Sequence, residues 1–272
     1  MNKFLFTVIF LIFNSCTHGG NKPTFSVKNE TFSQDSLIYS YKFVKESSPY
    51  VVENNGVLDT SYYKISYPFF ENSSINEIIN PYILVDGDES FTSAAESFIL
   101  GFNEFVEDEN TNKIHSSWYK SVITKVWTNT ALLLTLATSV EEYTGGAHGN
   151  YYKVISNIDL NTKQKIEIKD IFEEDKLVQF TKIAETIFRK SEGLHESTSL
   201  AKDFFFENGI FAITNNFGLK KDSLILYYNE YEIKPYAAGP TCLKIPFSEI
   251  ESLLNSTGKK YLLSIKQSNH TL

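Results

Sequence analysis

The stretch EYTGGAHGNYY (Glu142–Tyr152) sets one histidine, His148, among Gly145, Gly146, Ala147 and Gly149, between two segments of strand-like composition. An imidazole on such a loop could act as a general base if a carboxylate oriented it and a reacting proton came within reach. No motif supplies that carboxylate. The glycines have a sufficient structural reason of their own, because a tight loop needs positive φ, which glycine supplies at little cost. Cys242 lies in YEIKPYAAGPTCLKIPF (Tyr231–Phe247) and is a candidate nucleophile, with His148 as its base should the fold join them. Leu243, Ile245 and Phe247 alternate across the strand from it, so the expectation is a small residue filling a sheet face. DGDES (Asp86–Ser90) hints at calcium but lacks the later ligands and the glycine of a calcium loop, and a solvated turn is expected. His18, His115, His148, His195 and His270 show no ligand spacing with one another or with Cys242. No phosphate loop, dinucleotide fingerprint, nucleophile elbow or zinc-protease motif occurs, so neither metal nor cofactor is expected.

The elements that must position these residues read as mixed. SLIYSYKFV and SYYKISYPFF alternate apolar and polar residues and predict strands. Ser74 is the expected cap of a short helix through Ile75, Ile78 and Ile79, ended near Pro81. Phe91, Ala94, Ala95, Phe98, Phe102, Phe105 and Val106 recur at helical spacing. From Trp118 to Ile168 the period changes to two and predicts a four-strand meander, its aromatic residues most simply core. Lys169–Gly193 predicts a helix, Leu200–Phe206 a short second one, and Ile210–Ile233 a hairpin turning at Lys220–Asp222. Thr241–Phe247 predicts a strand, Ser248 the cap of a helix through Ile250, Leu253 and Leu254, and Lys259–Lys266 a last short strand. The fold class is therefore α+β: two small domains, with antiparallel sheets packed against a few amphipathic helices. The expected division is residues 1–15 export signal, 16–35 tether, 36–150 first domain and 151–267 second domain.

The first residues are not fold material. Lys3 followed by an apolar Phe4–Phe13, too short to span a bilayer, predicts an export signal. Cys16 falls directly after it, where a bacterial lipoprotein is cleaved and acylated. The polar stretch after Cys16 lacks acidic residues, which favours an anchor facing the periplasm. With Cys16 acylated, Cys242 has no disulfide partner, since these are the only two cysteines. A hydrophobic content of 42% with 15% aromatics supports a sizeable core. A net charge of −8 argues against nucleic acid and anionic lipid and suits a basic partner.

Read together, YTGGAHGN with IDLNTKQKIEIKDIF, and LILYYNEYEIKPYAAGPTCLKIPFSEI after them, resemble a bacterial envelope family. Its tandem domains form the extracytoplasmic part of the lysozyme-sensing anti-sigma factor RsiV and precede the catalytic domain of PdaC-type peptidoglycan deacetylases. The resemblance runs from about Leu37 to Leu254 and is carried by the GGAH loop and the Y-E-I-x-P-Y-A-A-G-P segment. It implies a non-enzymatic, lipid-anchored binding protein for a lysozyme-type muramidase, acting as sink, inhibitor or sensor. The expected contact residues are Gly145 to Gly149 together with Pro235, Tyr236, Ala237, Ala238, Gly239 and Pro240, the two loops lying side by side. A short export signal in place of a transmembrane helix implies no relay to a sigma factor, and nothing matches the metal-dependent domain of the deacetylases. A peptidoglycan-binding accessory module and a hydrolase with a site near His148 stay open as alternatives.

Overall fold

The computed structural model describes residues 36–54, 56–108 and 116–269; the expected export signal, Cys16 and tether, with His18, His115 and His270, lie outside the described residues. A five-stranded sheet in the order β1-β2-β3-β4-β5 is built from β1 (Tyr39–Asn54), β2 (Val57–Phe70), β3 (Tyr119–Asn129), β4 (Leu133–Tyr143) and β5 (Asn150–Asp159). A three-stranded sheet follows in chain order: β6 (Phe217–Lys220), β7 (Ser223–Tyr228) and β8 (Thr241–Pro246). The helices are α1 (Ser73–Ile83), α2 (Phe91–Asp108), α3 (Leu177–Ser191), α4 (Phe247–Ile250) and α5 (Ser256–Asn269). The class is α+β. Strand pairing is antiparallel except between β2 and β3, which run parallel because α1 and α2 carry the chain back along the sheet. β5 begins where the sequence reading ends its first unit, so the five-stranded sheet takes in the chain up to Asp159.

Each face of the large sheet has its own neighbour. Tyr63, Ile65 and Tyr67 of β2 share a face with Val122, Leu134, Leu136, Val140 and Ile158, and α1 and α2 cover it with Ile75, Ile79, Ile83, Ala94 and Ala95. The four-residue spacing of the three isoleucines puts them on one stripe of α1. On the opposite face, Ala137, Ile155 and Trp127 of the large sheet meet Tyr227 of the small one. Gly218 permits that approach: a Cβ there would lie 2.9 Å from Ile155 Cγ2 and 3.0 Å from Trp127. The far side of the small sheet (Leu224, Leu226, Tyr228, Leu243, Ile245) packs against Phe180, Ala184 and Phe188 of α3 and Tyr261, Leu262 and Ile265 of α5.

Several expected elements are corrected. Asn72, not Ser74, caps α1, its side chain accepting from the Ser74 amide at 3.1 Å. The helix passes through Pro81 to Ile83, since a proline so near the end removes one donor with little helix left to lose. The expected fourth strand of the meander contributes only the lone bridge Ile158↔Lys165; Ile166 and Ile168 turn into the second core instead. The expected helix from Lys169 starts at Leu177, after two short 3-10 turns. Leu200–Phe206 forms turns, because Phe204 and Phe206 wrap around Phe188 rather than line one helical face. The first strand of the expected hairpin shrinks to Phe217–Lys220, and Pro246 rather than Ser248 occupies the cap position of α4. Lys259–Lys266 is not a strand but the middle of α5: Tyr261, Leu262 and Ile265 fall on one helical face, and the Asn255 side chain accepts from the Gly258 amide at 2.9 Å to open the helix.

Candidate functional site

β4 ends at Tyr143 and β5 begins at Asn150, so the loop Thr144–Gly149 joins two strands in register. Gly145 and Gly146 take φ of 104° and 96°, which other residues rarely adopt. Gly149 is needed for a different reason: a Cβ there would lie 2.9 Å from the Glu142 carbonyl oxygen. The second loop runs from Pro235 to Pro240 as a 3-10 turn, Tyr236–Ala238, closed by Gly239 at φ 68°. Glu192, at the end of α3, fixes both ends of it, pairing with Lys234 at 2.9 Å and accepting from Thr241 Oγ1 at 3.4 Å.

The structure brings the two loops together. The His148 ring stacks on Tyr236 with centroids 4.1 Å apart and planes 16° from parallel. His148 Nδ1 lies 2.9 Å from its neighbour's carbonyl, Gly149 O, and so donates, leaving Nε2 to accept from the Tyr231 hydroxyl at 3.4 Å. Tyr236 is half-buried, whereas His148, Ala147, Pro235, Ala237, Ala238 and Pro240 are exposed. Both imidazole nitrogens are thus engaged by loop groups. Among the described residues no carboxylate hydrogen-bonds His148, so the orienting acid of a general base is not in place. Cys242 does not join His148. Its side chain is exposed on β8; desolvation raises the thiol pKa, outweighing Lys153 and Lys220, and the group is no poised nucleophile.

Three further tyrosines belong to this surface, of which Tyr119 and Tyr143 were expected as core. Tyr62, Tyr119 and Tyr143 stand in register across β2, β3 and β4 on the face away from α1 and α2. Their rings stack in a row, 5.9 Å and 6.0 Å between centroids, so each covers its neighbour's face. The Tyr143 hydroxyl donates to Gly146 O at 3.0 Å and ties the row to the glycine loop. Tyr231 was also missed. It sits at φ 63°, a conformation uncommon for a tyrosine, and turns its ring toward His148. The signal that could have found the row is its position: Tyr143 ends the strand that enters the glycine loop, and Tyr119 pairs with it from the start of β3.

On the other face, Lys120 is buried between Asp86 (2.7 Å) and Glu142 (2.6 Å). Burial lowers the pKa of the Lys120 ammonium, but hydrogen bonds and charge from Asp86 and Glu142 outweigh it and leave it raised. Asp86, from DGDES, also accepts from the Tyr152 hydroxyl at 3.2 Å. Its turn is a structural ion partner, and the described residues hold no group of metal-ligand character.

Comparison with known proteins gives two family matches in tandem. Residues 53–151 match Deacetylase PdaC, and residues 169–248 match the family described as Protein of unknown function (DUF3298). The peptidoglycan-N-acetylmuramic acid deacetylase PdaC of Bacillus subtilis is 22% identical over 216 residues, covering 76% of this chain and 41% of that protein. The chain thus spans about two fifths of that relative's length. A crystal structure of a DUF3298 family member from Bacteroides fragilis aligns with a TM-score of 0.63 at 21% identity, covering 86% of this chain and 100% of that one. A DUF3298 family protein from Pseudomonas aeruginosa aligns with a TM-score of 0.61 at 19% identity, covering 82% and 96%.

Proposed function

Because this chain belongs to the PdaC-like tandem-domain family, we propose that it is a non-catalytic binding module of the cell envelope, anchored by lipid at Cys16, whose partner is a basic, lysozyme-type muramidase. One observation carries the reading: the stack of His148 on Tyr236 locks two exposed loops into one aromatic surface and uses up both nitrogens of the only imidazole there. Pre-set loops lose little entropy on docking, and tyrosine is a frequent anchor of protein interfaces. The charge of −8 suits a basic partner, through faster encounter and fixed register.

A second reading, a cell-wall glycan as ligand, is favoured by the name of the curated relative, a peptidoglycan deacetylase. Sugars pack against open aromatic faces. Here Tyr236 is covered by His148, and the strand tyrosines cover one another, which leaves ring edges and hydroxyls outward. A protein partner uses such edges better.

The test is binding of purified lysozyme and of soluble peptidoglycan fragments to the full chain. Tyr236→Ala weakens lysozyme binding at least about tenfold, ~1.4 kcal/mol, with an unchanged melting temperature. Ala147→Trp does the same by obstruction. Affinity kept by both variants, or a melt lowered in both, overturns the reading. Raising salt slows association more than it speeds dissociation. For the anchor, a fatty-acid analogue labels the wild type and not Cys16→Ser; equal labelling removes the lipid from the proposal.

A further inference from the structure

The tyrosine row opens beside the glycine loop into a cleft of about 350 Å³ lined by Val52, Asp59, Ser116, Ser117, Tyr119 and Tyr143. Its hydrogen-bonding groups are mostly acceptors. Asp59 Oδ2 accepts from Ser117 Oγ at 2.6 Å and its Oδ1 from the Thr60 amide at 2.8 Å. Beside the cleft, Glu141 Oε1 accepts from the hydroxyl of the lining residue Tyr119 at 3.4 Å. The hydroxyl of the lining residue Tyr143 spends its proton on Gly146 O, so its oxygen is left as an acceptor. Among the described residues neither Asp59 nor Glu141 is paired with a lysine or arginine; every donor named here is neutral. The phenols register the same field: burial first, then Glu141, raises the pKa of both Tyr62 and Tyr119, with Asp59 adding to it at Tyr62.

We propose that this cleft receives a basic side chain of the partner protein, a guanidinium in preference to an ammonium. The inference rests on the protein-binding reading above and adds the chemistry that the partner must present. The cleft combines one exposed lining carboxylate, Asp59, a second, Glu141, at its edge through the Tyr119 hydroxyl, phenol oxygens as further acceptors and the aromatic walls of Tyr119 and Tyr143. A planar guanidinium meets all three, since it donates in a fork to a carboxylate and packs against rings, whereas an ammonium offers a single hydrated charge. The volume admits one such side chain and not a folded segment. Continuity with Gly146 through Tyr143 places the cleft next to the loop pair, so one partner can engage both.

The experiment titrates the full chain with N-acetyl-arginine amide, its neutral isostere N-acetyl-citrulline amide and a neutral chitin oligosaccharide, following the tyrosine ring signals by NMR. The expected result is saturable shifts of Tyr119 and Tyr143 with the arginine probe, at least about tenfold weaker with citrulline, and lost in the double variant Asp59→Asn, Glu141→Gln. Both substitutions are isosteric and exposed, so the melt stays unchanged. Equal shifts from citrulline or from the sugar, no saturable shift with arginine, or wild-type arginine affinity in the double variant each overturn the proposal. Lysozyme binding is measured in parallel. Arginine titration without lysozyme binding upholds the cleft while the muramidase reading fails. Equal lysozyme affinity of wild type and double variant sinks the cleft and leaves the loop-pair reading standing.

Discussion

Tyr231 concentrates the residue-scale chemistry. Its backbone sits at φ 63°, where a side chain crowds the neighbouring carbonyl at a cost of roughly 1–2 kcal/mol. The turn around it holds it there: the Asn229 amide donates to Glu232 Oε2 at 2.7 Å, and the Glu232 amide donates to Asn229 O at 3.2 Å. The strained residue is the one whose hydroxyl reaches His148. In Tyr231→Gly the backbone relaxes while an exposed ring is lost, so stability stays within about 1 kcal/mol of wild type and lysozyme affinity falls. Melting and binding assays on the same sample separate the two effects; a melt that falls with affinity assigns Tyr231 to the fold alone. The sequence announced the glycines and Tyr236, whose types carry their geometry. It did not announce Tyr231, because nothing in the residue itself signals a left-handed backbone.

Asparagine side chains join the elements, each imitating a peptide group. Asn157, buried on β5, donates to Phe217 O at 2.8 Å and accepts from the Leu219 amide at 3.1 Å, which stitches β6 to the large sheet. Asn216 returns the bond, accepting from the Ile155 amide and donating to Lys153 O, both at 2.8 Å. Asn76 does the same between α1 and the end of β2, and Asn129 clamps Leu37 at the entrance to β1. Asn157→Leu keeps the volume but strands the Phe217 carbonyl, the Leu219 amide and the Thr135 hydroxyl that bonds Asn157. At about 1–3 kcal/mol for each buried unpaired group, the expected loss is roughly 3 kcal/mol or more in a denaturant titration; a loss below about 1 kcal/mol refutes the staple. Strands and the helices α1, α2 and α3 were legible because their periods repeat several times. α5 was not: Tyr261, Leu262 and Ile265 are too few to separate two periods, and the close passage of Gly258 by Ile171, where a Cβ would lie 2.3 Å from the carbonyl, is a tertiary fact. The staples were likewise hidden, since an asparagine in a strand reads as weak β-propensity until its partner is known.

For the whole molecule, buried titratable groups set the pH range of the fold. Tyr63, Tyr152, Tyr227, Tyr228 and Tyr261 have phenol pKa values raised chiefly by burial, and that of Lys120 is raised by its two carboxylates against burial. Groups raised in the folded state hold protons that the unfolded chain has released, so stability falls as pH climbs beyond about 10. Asp159 is opposite in sign. Burial would raise its pKa, but hydrogen bonds from Thr162, Tyr261 and Asn161 lower it, so its contribution is present above about pH 4 and is lost as pH falls through the folded value. Tyr261→Phe removes the 2.5 Å bond to Asp159 and one buried phenol together. A melting series against pH should therefore show shallower alkaline and acid limbs than in wild type. Unchanged limbs would mean that neither group is linked to folding.

The Asn129 clamp on Leu37 has a mechanical meaning. From Tyr39 to Ser47, which lies level with Tyr62 and the tyrosine row, is eight steps along β1, about 26 Å at ~3.3 Å each. If, as proposed, the chain is anchored ahead of Leu37 and a large partner docks at the loop pair, the pull runs along that strand. The β1–β2 hydrogen bonds lie across the direction of pull, so they share the load in shear and do not open one after another like a zip. On the proposed reading, the strand that delivers the chain to its sheet is also its tow line, and tension falls on the long β1–β2 ladder and not on the loop pair.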